Sequence, residues 1–184
     1  MEAAARNETR YTYADLESWD DDTRYELIDG VVYAMAPPST NHGHIGIELV
    51  GQLWVFLKGK PCKVFHESLG VRLNADEDDD TFFIPDIAVV CDKSKLDDKG
   101  CNGAPDLVIE ILSPSTASRD WNIKKRKYLE AGVREYWIVD PAIKKVYIHL
   151  TDGNPPKEYG ETEAAPVGVL EGCSIDLSAV FGAI

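Results

Sequence analysis

The chain has few cysteines, no long apolar run and no excess of positive charge, and each shortage excludes a class of protein. Its four cysteines form no Cys-x-x-Cys pair, so we do not expect a zinc site made of thiolates. We expect the cysteines to be free thiols. No apolar run approaches the length that spans a bilayer, and the first residues lack the apolar centre of a secretion signal. We therefore expect a cytoplasmic protein without a membrane partner.

The charge balance is strongly acidic. The 184 residues include 32 Asp and Glu against 19 Lys and Arg, a net charge of −13. Taken alone, this charge argues against a nucleic-acid partner, because nucleic acids favour basic surfaces. The main basic cluster is Arg119 with Lys124, Lys125, Arg126 and Lys127, and an acidic protein can still present such a basic face locally.

The order of elements predicts one domain with an α+β fold, or an α/β fold with a mixed sheet. Thr12-x-x-Asp15 is typical of a capping box before a short helix. Asp29-Gly30 is typical of a hairpin turn, and Ser39 or Thr40 can cap a helix that runs to about Lys58. Strands and a second helix follow, with extra strands at both ends. We predict a flexible tail over residues 1–10 and a single domain over 11–184.

Two carboxylates interrupt apolar strands. Residues 82–90 predict a strand that carries Asp86, and residues 106–112 predict one that carries Glu110, with a loop over 91–105 between them. If the two strands form an antiparallel hairpin in which Val90 faces Asp106, Asp86 lies directly opposite Glu110, with Cβ atoms about 4.5–5.5 Å apart. Such carboxylates repel unless a proton or a cation joins them, and a divalent metal is the natural partner.

A helix is expected to bring a lysine to this pair. The segment from Trp121 to Ala131 predicts a helix capped by Asp120, and Trp121, Lys124 and Tyr128 recur on one face of it. If the aromatic side chains point inward, Lys124 does too, with Lys125 as the near alternative. A lysine beside a metal-bound pair can orient a water, help to deprotonate it, or stabilise a pentavalent phosphate.

Each residue also has a plainer interpretation. Glu110 and Lys124 can form a purely structural buried salt bridge, and Asp86 can simply begin a strand. A lone histidine such as His42, at the start of a helix, is more often a cap or a core contact. Glu26 can be an ordinary acid of an edge strand, and Glu48 a solvated residue of the helix. The combination is more specific than any one of its members.

Longer strings resemble a known family. Pro85-Asp86 followed by Glu110 and a nearby lysine resembles the PD-(D/E)xK nuclease core. The fuller strings resemble the Uma2 family of endonucleases: Tyr25 to Gly30, Pro37-Pro38-Ser39 with His42, Pro105 to Thr116, Asp120 with Lys124 and Tyr128, and Ala131 to Pro141. The similarity runs from about Tyr11 to the C-terminus.

The resemblance implies a restriction-endonuclease-like core, with a mixed β-sheet flanked by helices, and a Mg²⁺-dependent (or Mn²⁺-dependent) endonuclease that acts on DNA. By motif position, Asp86 and Glu110 would hold the metal, with the Ile111 backbone carbonyl as a further ligand. The lysine expected two residues after Glu110 is Leu112 here, so Lys124 would replace it. Accessory roles would fall to Glu26, His42 and Glu48, of which the first two match the family strings better.

Two other functions compete with this one. A catalytically inactive module on the same core, binding nucleic acid or a protein, is favoured by the acidic charge. A glycosidase with paired carboxylates ranks last, because Trp121 and Trp137 read as core residues rather than as sugar platforms. The oligomeric state stays open, with a homodimer as one option.

Overall fold

The computed structural model describes residues 9–74 and 78–182. Its helices are α1 (Tyr13–Glu17), α2 (Thr40–Leu57), α3 (Ala117–Arg119), α4 (Lys125–Glu130) and α5 (Leu177–Val180), with a 3₁₀ turn at Lys93–Lys95 and a π-helical turn at Asp120–Lys124. Its strands are β1 (Tyr25–Ile28), β2 (Val31–Ala34), β3 (Lys63–His66), β4 (Val71–Arg72), β5 (Phe82–Phe83), β6 (Ile87–Val90), β7 (Leu96–Asp97), β8 (Gly100–Asn102), β9 (Leu107–Ile111), β10 (Glu135–Asp140), β11 (Lys145–Leu150), β12 (Lys157–Gly160), β13 (Ala164–Pro166) and β14 (Ser174–Asp176).

Two six-stranded sheets organise these elements. The central sheet has the order β12-β11-β10-β9-β6-β3, and the outer sheet has the order β2-β1-β5-β4-β8-β7. Strands β9 and β10 pair in parallel within a sheet whose other pairings are antiparallel. Strands β13 and β14 form a separate pair. The predicted mixed sheet flanked by helices, with added strands at both ends, is confirmed.

The central sheet buries both of its faces. Along β9, Leu107, Ile109 and Ile111 pack with α2 and the C-terminal elements, whereas Val108 packs with Tyr128 of α4 and with the outer sheet. Successive side chains of a strand point to opposite faces, so Glu110 points to the face that α4 covers. A core on each face explains why β9 is buried at all five positions.

The predicted register between the two carboxylate-bearing segments is confirmed. Strands β6 and β9 are antiparallel, with Ile87 opposite Ile109 and Val89 opposite Leu107. One further step along this register places Asp86 opposite Glu110. The prediction of one continuous strand over 82–90 is wrong, because β5 joins the outer sheet and β6 the central sheet. Pro85 has no N–H for a sheet hydrogen bond, so the ladder breaks there and Asp86 lies at the break.

The segment 91–105 is more ordered than the predicted loop, since it contains the antiparallel pair β7 and β8. Gly100 allows this pair to approach the rest of the outer sheet. It has a φ of 130°, and a Cβ built there would lie 2.2 Å from the carbonyl oxygen of Gly70. The neighbouring Cys101 N–H donates to that oxygen at 2.8 Å, so the close approach secures the pairing of β8.

The helix that carries Lys124 begins earlier than predicted. Ala117 starts it, so Asp120 lies inside the helical segment rather than at its N-cap. The sequence pattern misassigned Asp120 because an acidic residue before an apolar run also fits a cap. Asp120 is instead buried, with 2% of its surface exposed.

The prediction of four free thiols is wrong for one pair. Cys62 and Cys91 form a disulfide, whereas Cys101 and Cys173 are free and buried. The pairing follows from the antiparallel β3 and β6, in which Lys63 lies opposite Val90. One more step in that register brings Cys62 opposite Cys91.

Two sequence predictions concern the extent of the chain. The predicted tail over 1–10 lies mostly outside the described residues, and the single domain over 11–184 stays a prediction. Within residues 9–74 and 78–182, no helix has the length and apolar character needed to cross a membrane.

Candidate active site

An open cleft of about 760 Å³ lies where the outer sheet meets the ends of two central strands. Strands β1 and β2 and the start of α2 form one side of the cleft. The other side is formed by the residues that follow β9 and β10, as far as α3 and Ala142. Ligands often bind near strand ends, where loops converge. Six of the side chains predicted from the sequence or paired with them line this cleft: Glu26, His42, Asp86, Glu110, Asp120 and Lys124.

Lys124 is the centre of a buried charge cluster. Its Nζ lies 2.7 Å from Glu110 Oε1, 2.8 Å from Glu26 Oε1 and 3.7 Å from Asp120 Oδ1. Each of these four side chains is at most 6% exposed. The predicted inward direction of Lys124 is therefore confirmed, and it reaches Glu110 even though Leu112 occupies the usual lysine position.

The cluster carries more negative than positive groups. One ammonium faces three carboxylates, and the contact between Lys124 and Glu110 is an ion pair without hydrogen-bond geometry, so Glu110 Oε1 has no hydrogen-bond partner among the described residues. Burial raises the pKa of Glu110 well above its usual value, with Lys124 opposing the rise and Asp86 adding to it. Burial also raises the pKa of Asp120. Both carboxyls are therefore poorly compensated.

Lys124 keeps its proton in this setting. Burial alone would lower its pKa, but Glu110, Glu26 and Asp120 together raise it well above the usual value. A lysine that stays protonated supplies positive charge and cannot accept a proton from water. Of the chemical roles considered for Lys124, the geometry supports electrostatic stabilisation and positioning.

Asp86 lies beside the end of β9. Its Oδ2 accepts a hydrogen bond of 2.7 Å from the Ile111 N–H and lies 3.1 Å from His42 Nε2. The backbone of Asp86 accepts from the Glu67 N–H at 2.9 Å. The break between β5 and β6 and these hydrogen-bond partners together fix the Asp86 carboxylate at the cleft.

His42 and Glu67 form a second group with Asp86. Ligand atoms of the three residues lie within 4.8 Å of one another, a spacing that can hold a metal ion. Burial lowers the pKa of His42, but the hydrogen bond that its protonated ring donates to Asp86, together with the charges of Asp86 and Glu67, outweighs this effect, so the pKa rises overall. Glu67 was not identified from the sequence, because no local pattern distinguishes it. Glu67 directly follows β3 and has a φ of 49°.

The remaining predicted residues divide into two groups. Glu26 and Ile111 line the cleft, and Glu26 Oε1 also accepts from the Ile84 N–H at 3.3 Å. Glu48 is not among the cleft-lining residues. It lies six residues after His42 on α2, which is about 9 Å along the axis and on a different face of the helix. The structure therefore does not support an accessory role for Glu48.

Two arginines of the cleft were also missed as site residues. Arg24 lines it and donates to the Glu67 carbonyl oxygen. Arg119 lines it with its guanidinium 4.4 Å from the centre of the Tyr33 ring. The sequence marks Arg119 only as part of a basic run, and its position inside the cleft depends on how α3 packs.

The donor set fits a hard divalent cation. Carboxylate oxygens dominate both groups, and Mg²⁺ and Mn²⁺ prefer oxygen ligands, with imidazole also acceptable to Mn²⁺. The unsatisfied Glu110 Oε1 and the raised pKa of Glu110 are what a carboxylate shows when a positive partner would stabilise it. Asp86 belongs to the second group, and the register of β6 and β9 places it opposite Glu110 of the first.

These features define an α+β protein with a carboxylate-rich cleft between two sheets. A family model described as Uma2, putative restriction endonuclease, matches residues 11–178, so the chain belongs to the Uma2 family. The predicted resemblance is confirmed, and membership supports a nuclease function in general terms.

Two known proteins are similar to this chain. An uncharacterized protein of Synechocystis sp. is 31% identical over 112 residues, 60% of this chain and 57% of the relative; the chain thus spans less than two thirds of that relative. The crystal structure of a putative nuclease belonging to DUF820 from Anabaena variabilis is 21% identical, with a TM-score of 0.76. The likeness covers 93% of this chain and 97% of that chain, and it confirms the predicted fold.

Proposed function

We propose that this chain is a metal-dependent endonuclease that hydrolyses phosphodiester bonds of DNA. The observation that carries the proposal is the buried cluster in which one ammonium, Lys124, faces the carboxylates of Glu110, Glu26 and Asp120. Burying unbalanced charge is unfavourable unless a proton or a cation joins the group. Asp86 at the same cleft and membership in the Uma2 family support the same interpretation.

Mg²⁺ or Mn²⁺ is the proposed cofactor, and Asp86 is the ligand common to two candidate sets. The first set adds Glu110 and the Ile111 carbonyl, and the second adds His42 and Glu67. When bound, such an ion polarises a phosphate oxygen and lowers the pKa of a bound water. Because His42 must be neutral to be a ligand, the second set would require it to lose the proton that Asp86 favours.

The other residues have positioning roles in this proposal. Lys124 remains protonated and places a positive charge beside Glu110, where it can stabilise negative charge that develops on phosphate. Glu26 and Asp120 hold the Lys124 ammonium from two further sides. The Ile111 N–H fixes the Asp86 carboxylate through its 2.7 Å hydrogen bond.

Cleavage of supercoiled plasmid tests the proposal. We expect conversion to nicked and linear forms with Mg²⁺ or Mn²⁺, no conversion with excess EDTA, and loss of activity in the double variant Asp86→Ala, Glu110→Ala. Glu171→Gln is the matched control, since it removes an exposed carboxylate outside the cleft. Equal activity of the double variant and the wild type would refute the proposal.

To separate the two ligand sets, the same assay is run with Glu110→Gln and Glu67→Gln. The first set predicts that Glu110→Gln raises the Mn²⁺ concentration needed for half-maximal cleavage, whereas the second predicts this effect for Glu67→Gln. A variant that fails to fold is recognised by its thermal melt. No shift in either folded variant would argue against both sets.

A binding module without catalysis is the second candidate, and the net charge of −13 favours it. Lys124 is already paired with Glu26 and Glu110, and such pairing is compatible with a purely structural cluster. The absence of metal binding, together with undiminished partner binding by the double variant, would support this candidate. A cytoplasmic location and a homodimer stay predictions.

A further inference from the structure

Arg119 is a cation in the cleft that has no anionic partner within residues 9–74 and 78–182. Its guanidinium lies 4.4 Å from the centre of the Tyr33 ring, and both residues line the cleft. The Nη1 atom is buried and has no hydrogen-bond partner among the described residues. An arginine that stacks on a ring keeps the edge of its guanidinium free, so the N–H groups of Arg119 are available to a ligand.

This situation is unusual for a chain in which acidic residues outnumber basic ones, 32 to 19. The other cations of the cleft are already engaged: Lys124 faces three carboxylates, and Arg24 donates to the Glu67 carbonyl oxygen. A buried donor without an acceptor is unfavourable by itself. The arrangement therefore points to an anion that arrives with a ligand.

Hydroxyl groups line the same cleft close to Arg119 in the chain. Ser113, Ser115 and Thr116 are joined through the Ser113 Oγ, which lies 3.0 Å from each of the other two hydroxyls. Hydroxyls and an arginine fork are the donors that commonly contact phosphate oxygens in nucleic-acid complexes. The same cleft holds Glu110 and Asp86, so a phosphate held there would belong to a strand presented to these carboxylates.

We propose that Arg119, supported by the ring of Tyr33, binds a backbone phosphate of the nucleic-acid strand that enters the cleft. The proposal rests on the proposed function and deepens it, since it identifies how an acidic protein holds a polyanionic substrate. Arg119 is a substrate-positioning residue in this account, and the hydroxyls of Ser113, Ser115 and Thr116 are additional donors to the phosphate.

Equilibrium binding without catalysis tests the proposal separately from cleavage. Fluorescence anisotropy of a labelled DNA duplex is measured in EDTA over a series of salt concentrations, with the wild type, Arg119→Gln and Arg126→Gln. Arg126 is exposed on α4 and does not line the cleft, so it controls for loss of one positive charge. We expect Arg119→Gln to weaken binding about tenfold and to reduce the salt slope by about 1, whereas Arg126→Gln leaves both unchanged.

Arg119→Lys is a second variant in case Arg119→Gln does not fold. Lysine keeps the charge but loses the planar fork, so we expect an unchanged salt slope with weaker binding. Any one of four results would overturn the proposal. The salt slope could be unchanged in folded Arg119→Gln, or Arg126→Gln could lose as much affinity as Arg119→Gln. Arg119→Lys could bind with full affinity, or the wild type could fail to bind the duplex. If binding depends on Arg119 but plasmid is not cleaved, the proposed function fails and this inference stands.

Discussion

Replacing Lys124 by Met tests whether the buried charge cluster is as interdependent as the structure indicates. The substitution keeps much of the side-chain volume and removes the only ammonium within 4 Å of Glu110 among the described ion pairs. The carboxylates of Glu26, Glu110 and Asp120 then lose their common partner while remaining at most 6% exposed.

The expected loss follows from the burial of these pairs. Removing one partner of a buried ion pair typically costs about 3–5 kcal/mol, because it leaves an uncompensated charge, and we expect Lys124→Met to fall in this range at neutral pH. The pKa of Glu110 is already raised, and the loss of Lys124 raises it further. A folded acid with a raised pKa takes up protons more readily than its unfolded form, so the deficit should shrink as the pH falls towards 5.

Urea denaturation monitored by tryptophan fluorescence measures this loss. Lys145→Met is the matched control, because Lys145 pairs with Glu158 at 3.0 Å but both side chains are about half exposed, and such pairs contribute at most about 1 kcal/mol. The double variant Lys124→Met, Glu110→Gln should recover part of the stability, since it removes a buried charge. A loss below about 1 kcal/mol for Lys124→Met, or no dependence on pH, would refute the reasoning.

Three further predictions concern stability and redox state. Burial lowers the pKa of His149 from 6.5 to about 4, so between these pH values only the unfolded chain takes up the proton. The free energy of unfolding should therefore fall by at most about 3 kcal/mol as the pH is lowered through this range. His149→Gln should flatten this pH dependence, measured by urea denaturation at each pH. Gly100→Ala should lower the free energy of unfolding by about 3 kcal/mol and Gly153→Ala by about 1 kcal/mol, because a Cβ at position 100 would meet a backbone oxygen and one at position 153 would not. Equal losses in the two variants would contradict this. A thiol assay in denaturant without reductant should find two thiols, because Cys62 and Cys91 are joined; four would contradict the pairing.

Local signals predicted the parts of the fold that depend on neighbouring residues. The capping box at Thr12, the hairpin turn at Asp29-Gly30 and the Ser39 cap of α2 are all observed. The register of β6 and β9 was also predictable, because the two segments follow each other along the chain and alternation fixes their faces. These signals suffice to bring Asp86 and Glu110 to one face.

Features that depend on non-neighbouring strands could not be predicted in the same way. The pairing of β3 with β6 joins Cys62 to Cys91, and it positions Glu67 beside Asp86. The residues around Glu67 carry no local pattern that predicts its contact with Asp86. The division of residues 82–90 between two sheets likewise depends on tertiary pairing, although Pro85 marks where the break occurs.

The candidate site shows the same distinction. Helical periodicity predicted that Lys124 points inward, but the role of Asp120 was misassigned because a cap and a buried ion-pair partner look alike in the sequence. The i,i+4 spacing of Asp120 and Lys124 was the available signal for their contact. Arg119 required the packing of α3 against β2 to be known.

Isothermal titration of Mn²⁺ into the wild type and Asp86→Asn tests most directly whether the buried carboxylates form a cation site. Asp86 belongs to both candidate ligand sets, so the result does not depend on which set is correct. We expect one saturable binding event in the wild type and in Glu171→Gln, weakened at least about tenfold in folded Asp86→Asn. No binding by the wild type, or the same affinity in Asp86→Asn, would contradict the account.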